Sequence, residues 1–145
     1  ATISSAITIS GNPVIFVDGD LYIKGNITAS NADSVVFIVK GDIIAHVVPS
    51  LTTSLDGIYI ARKSFTDVQP GGNPRLSLAV QRLQINGAIY VDGEDGGSMK
   101  LVRYFNSANL NNNNPAFSVF YDPKYLVILN SILAEPTVGW KEVGP

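Results

Sequence analysis

The stretch Val14-Ile15-Phe16-Val17-Asp18-Gly19-Asp20-Leu21-Tyr22-Ile23 aligns without gaps on Val36-Phe37-Ile38-Val39-Lys40-Gly41-Asp42-Ile43-Ile44-Ala45. Gly19 falls on Gly41 and Asp20 on Asp42. The same apolar-x-Gly-x-apolar unit recurs at Gly25, Gly57 and Gly87. Gly25, Gly41 and Gly57 follow at equal intervals, and the longer step from Gly57 to Gly87 makes close to two turns once Pro70-Gly71-Gly72-Asn73-Pro74 is set aside as a bulged loop. Such a turn has a physical reading. Glycine takes a positive-φ corner, the flanking strands add one rung, and each rung hides its apolar face only against the next. The expectation is a mainly β fold, a right-handed parallel β-solenoid. The uneven spacing leaves a β-sandwich or jelly roll open as the alternative.

Outward from this repeat, apolar residues come in short runs rich in Val, Ile, Tyr and Phe, punctuated by Gly, Asn, Asp or Pro, the signature of strands and turns. Candidate strands are Ala6–Ile9, Val14–Val17, Leu21–Ile23, Val35–Val39, Ile43–Val47, Gly57–Ala61, Leu76–Leu78, Arg82–Ile85, Ala88–Val91 and Lys100–Tyr104. Val35–Val39 lacks strict alternation, as a wall buried inside and partly covered outside requires. One domain over 1–145 is expected, with rungs over 1–105, an Asn-rich surface loop over 106–116, and a strand, helix and closing segment over 117–145. Asp122 reads as a helix N-cap and Pro123 as its first helical residue. Tyr125, Leu126, Ile128, Leu129, Ile132 and Leu133 then follow at helical spacing until Glu135-Pro136. The simplest role for this amphipathic helix, with Trp140-Lys141-Glu142-Val143, is to cap an end of the solenoid, where strand edges and core are otherwise bare.

Composition narrows the function classes. The chain has 145 residues, 46% hydrophobic and only 15% charged, which is too apolar for disorder. A net charge of −2 gives no electrostatic footprint for nucleic acid. Absence of cysteine excludes disulfides and thiolate chemistry. Apolar runs are far shorter than the roughly 20 residues that span a bilayer, so no membrane insertion is expected in this segment. The first residue is Ala rather than Met, which reads as an excised domain or a processed product. Low charge, abundant Ser, Thr, Asn and Gly, and absent Cys fit an exported, extracellular domain of the bacterial cell surface.

Lys40-Gly41-Asp42-Ile43-Ile44-Ala45 and Asp56-Gly57-Ile58-Tyr59-Ile60-Ala61 resemble the turns of β-solenoid surface domains associated with type IV pilus accessory proteins, and more loosely those of bactofilin polymer-forming domains. Tyr121-Asp122-Pro123-Lys124-Tyr125-Leu126 with Trp140-Lys141-Glu142-Val143 is similar to the C-termini of bacterial pilus-associated or cell-surface proteins. The resemblance implies an exported, non-catalytic structural or adhesive domain, with other surface or pilus proteins as partners. It supplies no catalytic residues and no cofactor.

Chemistry and structure compete at each candidate site. Asp18, Asp20 and Asp42 form the best acidic cluster, because the repeat stacks Asp20 on Asp42 at the inter-strand spacing of about 4.8 Å. Stacked carboxylates supply oxygen ligands for Ca²⁺ or the acid and base of polysaccharide cleavage. They also satisfy backbone groups of a Gly-Asp turn, the favoured reading. Asp92-Gly93-Glu94-Asp95-Gly96-Gly97 lacks the spacing of known calcium loops and reads as a connecting loop or hairpin. His46 is the only histidine and reads as a strand-edge residue. Asn26-Ile27-Thr28 is a glycosylation sequon, and Asn86-Gly87 reads as a tight turn. If they face outward, Tyr22, Tyr59 and Tyr90 are positioned to stack on glycans, so a carbohydrate-binding module is the second functional reading. Core or wall packing competes with it. A polysaccharide lyase or hydrolase is the third. Solenoid ends also leave self-association open, with Thr2 to Ile9 as the less protected end.

Overall fold

The computed structural model describes residues 1–45, 52–67, 78–79, 82–101, 104–105 and 108–133. His46, Leu76, Trp140 and the Pro70–Pro74 loop lie outside them. The fold is mainly β. Its first seven strands are short: β1 Thr2–Ile3, β2 Ile7–Ile9, β3 Val14–Val17, β4 Leu21–Ile23, β5 Ile27–Ala29, β6 Val36–Val39 and β7 Ile43–Ala45. Two long ones, β8 Ser54–Ala61 and β11 Leu83–Val91, flank β9 Phe65–Thr66 and β10 Leu78–Ala79. β12 Met99–Lys100, β13 Tyr104–Phe105, helix α1 Ala108–Asn113, β14 Phe117–Phe120 and helix α2 Lys124–Leu133 complete the described elements.

Every pairing among these strands is parallel. One sheet runs β1-β4-β7-β9-β12 and a second β14-β11-β8-β5-β2, with β3 and β6 joined to the second through β8. The sequence repeat is the register itself. Val14 to Val17 pair with Val36 to Val39, and Leu21 to Ile23 with Ile43 to Ala45. The next partner of Ile43 is Phe65, at the same offset along the chain, and that of Phe65 is Met99, at a longer one. Gly57 pairs directly with Gly87, so the chain between them makes one return, not two.

Side chains at matching register positions form continuous interior columns. Ile27, Leu55 and Ile85 are one, and Val17, Val39 and Ala61 another, all 9% exposed or less. Phe37 stacks on Tyr59 with centroids 5.5 Å apart, Tyr59 meets Phe65 edge-on at 6.4 Å, and Phe65 meets Phe117 at 6.5 Å. The Tyr59 hydroxyl donates to the Asp56 carbonyl at 3.1 Å, so this buried tyrosine leaves no bare polar atom.

Glycines serve two different needs. Gly57 and Gly87 have φ of +132° and +148° inside the continuous strands β8 and β11, and a Cβ on either would also meet a neighbouring backbone carbonyl, that of Val35 or of Gly57. Asn86-Gly87 therefore lies inside β11 and is not a tight turn. Gly25 and Gly41 do not have positive φ; a Cβ on either would collide with the neighbouring return of the chain, Ser5 in one case and Gly19 with the Asp20 carboxylate in the other. Proximity of backbones, not handedness, selects glycine at these two positions.

Sequence expectation and structure part in further places, and the expected strand Lys100–Tyr104 is divided, its ends falling in β12 and β13 of different sheets. β1, β5 and β9 are strands of two or three residues, too short for a periodic signal. Ala108–Asn113 of the expected Asn-rich loop is a short helix, in which the Asn113 amide donates to the carbonyl and side-chain oxygen of Asn109. Most consequentially, the described side chains of α2 pack on a sheet face, not across an end. Tyr125 and Leu129 lie against Val14, Val36, Ile38, Ile58 and Ile60, the outward residues of β3, β6 and β8. Those strands are apolar on both faces, and the helix covers the part of the outer one around Val36 and Ile58, leaving Phe16 open. Met99 and Val119, which continue interior columns at the last strands, remain 45% exposed. The helix start follows expectation: Asp122 Oδ1 accepts from Lys124 N at 2.9 Å, with Pro123 between them.

Candidate functional site

The acidic pair expected to carry chemistry is engaged by the backbone. Asp20 Oδ1 accepts from Asp42 N at 2.9 Å, Asp42 Oδ1 from Ser64 N at 2.9 Å, and Ser64 Oγ from Ser98 N at 3.1 Å. Each oxygen reaches an amide far along the chain, so these bonds join successive returns of the chain rather than closing local turns. Asp18 stands apart from the ladder. Its exposed carboxylate pairs with Lys40 Nζ at 2.8 Å, and the hydrogen bond and charge of that lysine hold it below the usual carboxylate range. The glycine-rich acidic segment is a connection between β11 and β12, with Glu94 paired to Arg62 and Asp95 to Lys63. No group of three or more His, Asp or Glu side chains is disposed to hold a metal among the described residues.

The three tyrosines expected to bind glycans separate. Tyr59 is fully buried in the core and touches no surface; Tyr22 is half-buried on β4; Tyr90 is 52% exposed. Burial, with the negative charge of Asp56, pushes the Tyr59 phenol well above its usual value.

Two surface features remain, and sequence reasoning assigned neither. The first is an apolar stripe. Phe16, Ile38, Ile60 and Tyr90 are register partners on four successive strands, Phe16 is 75% exposed, and Leu126 and Val127 of α2 are also exposed. Phe16, Ile38 and Ile60 line a groove of about 550 Å³, bordered by Asp18, Lys40, Arg62 and Asp92. The repeat contains this stripe, since it gives the register; what the repeat lacks is which face α2 leaves open.

The second feature is a polar cleft of about 410 Å³ where the end of β14 leads into α2. Asp56 on β8 and Asn86 on β11 face it, Asn31 borders it, and Phe120 and Tyr121 stand beside it 52% and 54% exposed. Asp56 accepts from Ala29 N at 2.8 Å and from the Asn86 amide at 2.7 Å, and Gln84 in turn donates to Asn86 Oδ1 at 2.8 Å. Tyr125 also lines the cleft. Its hydroxyl is buried and makes no well-formed hydrogen bond; burial with the charges of Asp56 and Asp122 pushes its phenol up to about 12, and the nearby Gly57 N–H opposes that rise. Lys124 Nζ donates to the Ser30 carbonyl at 3.2 Å and sits 5.0 Å from the Tyr125 ring centroid. The cleft escapes sequence reading because its residues come from separated segments, and only Asp122 and Pro123 carry a local signal.

No family model, curated protein or solved structure matches this chain.

Proposed function

We propose that the parallel sheets are walls of a right-handed β-solenoid, and that the domain is a non-catalytic structural or adhesive element of an exported bacterial surface or pilus-associated protein. In support of the architecture, the chain returns to the same sheet position with matched register, every described pairing is parallel, and parallel crossovers are right-handed in about 98% of cases. An antiparallel sandwich or jelly roll would need antiparallel pairs, and none occurs among the described strands. In support of the role, Asp20 and Asp42 already serve the backbone and Asp18 is ion-paired.

The observation that carries the adhesive reading is the stripe of Phe16, Ile38, Ile60 and Tyr90. Phe16 and Tyr90 are 75% and 52% exposed, with partly buried Ile38 and Ile60 between them, and exposed apolar side chains joined in this way mark contact surfaces. Its charged border of both signs suits a protein partner on the cell surface or pilus. The test is retention of domain-coated beads on bacterial envelopes under flow, comparing the wild type with Phe16→Ser/Tyr90→Ser. Adhesion by the wild type that falls at least fivefold in the folded double variant is expected. Equal retention of the two, or turnover of a polysaccharide by the wild type, would defeat the proposal.

A further inference from the structure

The cleft at the start of α2 presents a different chemistry from the stripe, and what it would bind follows from its lining. We propose that this cleft binds a neutral pyranose sugar, a mono- or disaccharide unit, with Tyr121 and Phe120 as the stacking surface and Asn31, Asn86 and Asp56 as hydrogen-bonding groups. Four observations converge. The volume of about 410 Å³ lies in the range of small-molecule sites, roughly 300–1,000 Å³. Two aromatic side chains more than half exposed stand beside a polar hollow, which is the combination a sugar requires: an apolar C–H face against a ring and hydroxyls against amides and carboxylates.

The third observation is the Tyr125 hydroxyl. It is a buried polar group on a residue only 1% exposed that lines the cleft, and it makes no well-formed hydrogen bond, the Gly57 amide alone lying near enough to favour its ionised form. Such a group favours a further partner, and a ligand hydroxyl that reaches it supplies both donor and acceptor.

The fourth is charge. Asp56 and Asp122 supply two carboxylates against the single ammonium of Lys124, which already faces the Ser30 carbonyl. This balance disfavours phosphate, sulfate and uronic acids and leaves neutral sugars. Orientation is also supported from below, since Asp56 and Asn86 are fixed on paired strands by bonds to Ala29 and Gln84, so the polar groups are held before a ligand arrives.

The experiment is saturation-transfer NMR on the whole chain with methyl pyranosides of gluco, galacto, manno and N-acetylglucosamine configuration, and with methyl glucuronide as the anionic arm. At least one neutral glycoside should receive saturation and the glucuronide little. The dissociation constant should rise at least fivefold in Tyr121→Ala and in Asn31→Ala, both exposed positions. Tyr125→Phe should weaken binding while leaving the protein at least as heat-stable, a split that a merely structural tyrosine would not give. Phe16→Ser, remote from the cleft, should leave transfer unchanged, so a failure of the adhesive reading and a failure of this one are separable. No transfer to any neutral glycoside, stronger transfer to the glucuronide, or unchanged binding in Tyr121→Ala and Asn31→Ala would overturn the proposal.

Discussion

Replacing Gly41 by alanine tests how closely successive returns of the chain are stacked. Its φ is not positive, so backbone conformation resists the change little; a Cβ would instead fall on Asp20 Oδ1 and lie 2.9 Å from the Gly19 carbonyl carbon and oxygen. Two costs follow. The backbones must separate, at about 1–3 kcal/mol for overpacking. The half-buried Asp20 carboxylate must also leave its 2.9 Å bond to Asp42 N, at the lower end of about 1.5–3 kcal/mol for a charged acceptor. Together they amount to roughly 3–4 kcal/mol. Gly11→Ala is the control: its φ is +75° and nothing lies within 4 Å of the added carbon, so it should cost only about 1–2 kcal/mol of left-handed strain. Equilibrium urea unfolding, with an m-value of about 1–3 kcal/mol/M, resolves the difference in midpoint. In an Asp20→Ala background the Gly41→Ala penalty should shrink by about 1.5 kcal/mol, because the displaced carboxylate is already gone. A Gly41→Ala protein no less stable than Gly11→Ala, or full additivity with Asp20→Ala, would refute the reasoning.

Asn26→Ala should destabilise by about 2–3 kcal/mol in urea melts, since Asn26 Oδ1 accepts from Thr53 N at 2.8 Å and Ser54 N at 3.1 Å and both amides would be orphaned; Asn26→Asp, which keeps the acceptor, should lose less than half of that. Tyr125→Phe should leave the ligand-free protein unchanged or up to about 1 kcal/mol more stable, read by thermal melting, because it removes a buried hydroxyl that makes no well-formed hydrogen bond. Burial raises the phenols of Tyr59 and Tyr125, so the fold holds their neutral forms: the resulting stability is full below the unfolded value of 10.0 and is lost as pH rises toward the folded value, about 12 for Tyr125. Absorbance titration at about pH 11 should therefore leave two phenols un-ionised until the protein unfolds. Asp33 has the opposite sign. Hydrogen bonds from Ser30 Oγ and Gly11 N hold its carboxyl below 3.8, so its contribution is present above that value and lost as pH falls through the folded one; Asp33→Ala should flatten the stability profile below about pH 4.

The extent to which the fold was legible depended on how local each cause is. The gap-free match of Val14–Ile23 with Val36–Ala45 is readable because each residue on one strand faces its counterpart on the next, so packing imposes like on like. The match fails where the chain adds residues between Phe65 and Met99, which is why Gly57 and Gly87 read as two turns apart when they are direct partners. Gly25 and Gly41 look like positive-φ corners in sequence but answer to a neighbouring backbone, a cause that no local pattern records. Helix α2 was legible in its cap and period. Its resting place was not, because the outward Val36 and Ile58 are explained only once an element from much later in the chain lies over them. The same distance hides the cleft: Asn31, Asp56, Asn86 and Tyr121 have no spacing in common. Tyr59 shows the converse error, an aromatic on a strand whose parity places it inside.

The account stands on the stacking of one column of residues across successive returns of the chain. With no native cysteine to interfere, that stacking can be read by disulfide trapping. Phe16→Cys/Ile38→Cys, Ile38→Cys/Ile60→Cys and Ile60→Cys/Tyr90→Cys place each pair on direct parallel partners about 4.8 Å apart, within the Cα separation of roughly 4.4–6.8 Å that a disulfide bridges. Phe16→Cys/Ile60→Cys skips one strand and lies at about twice the spacing, beyond reach. The stacked arrangement predicts rapid, near-complete oxidation of the three adjacent pairs and none of the skipped pair in monomeric protein. Failure of the adjacent pairs, or equal oxidation of the skipped one, would contradict it.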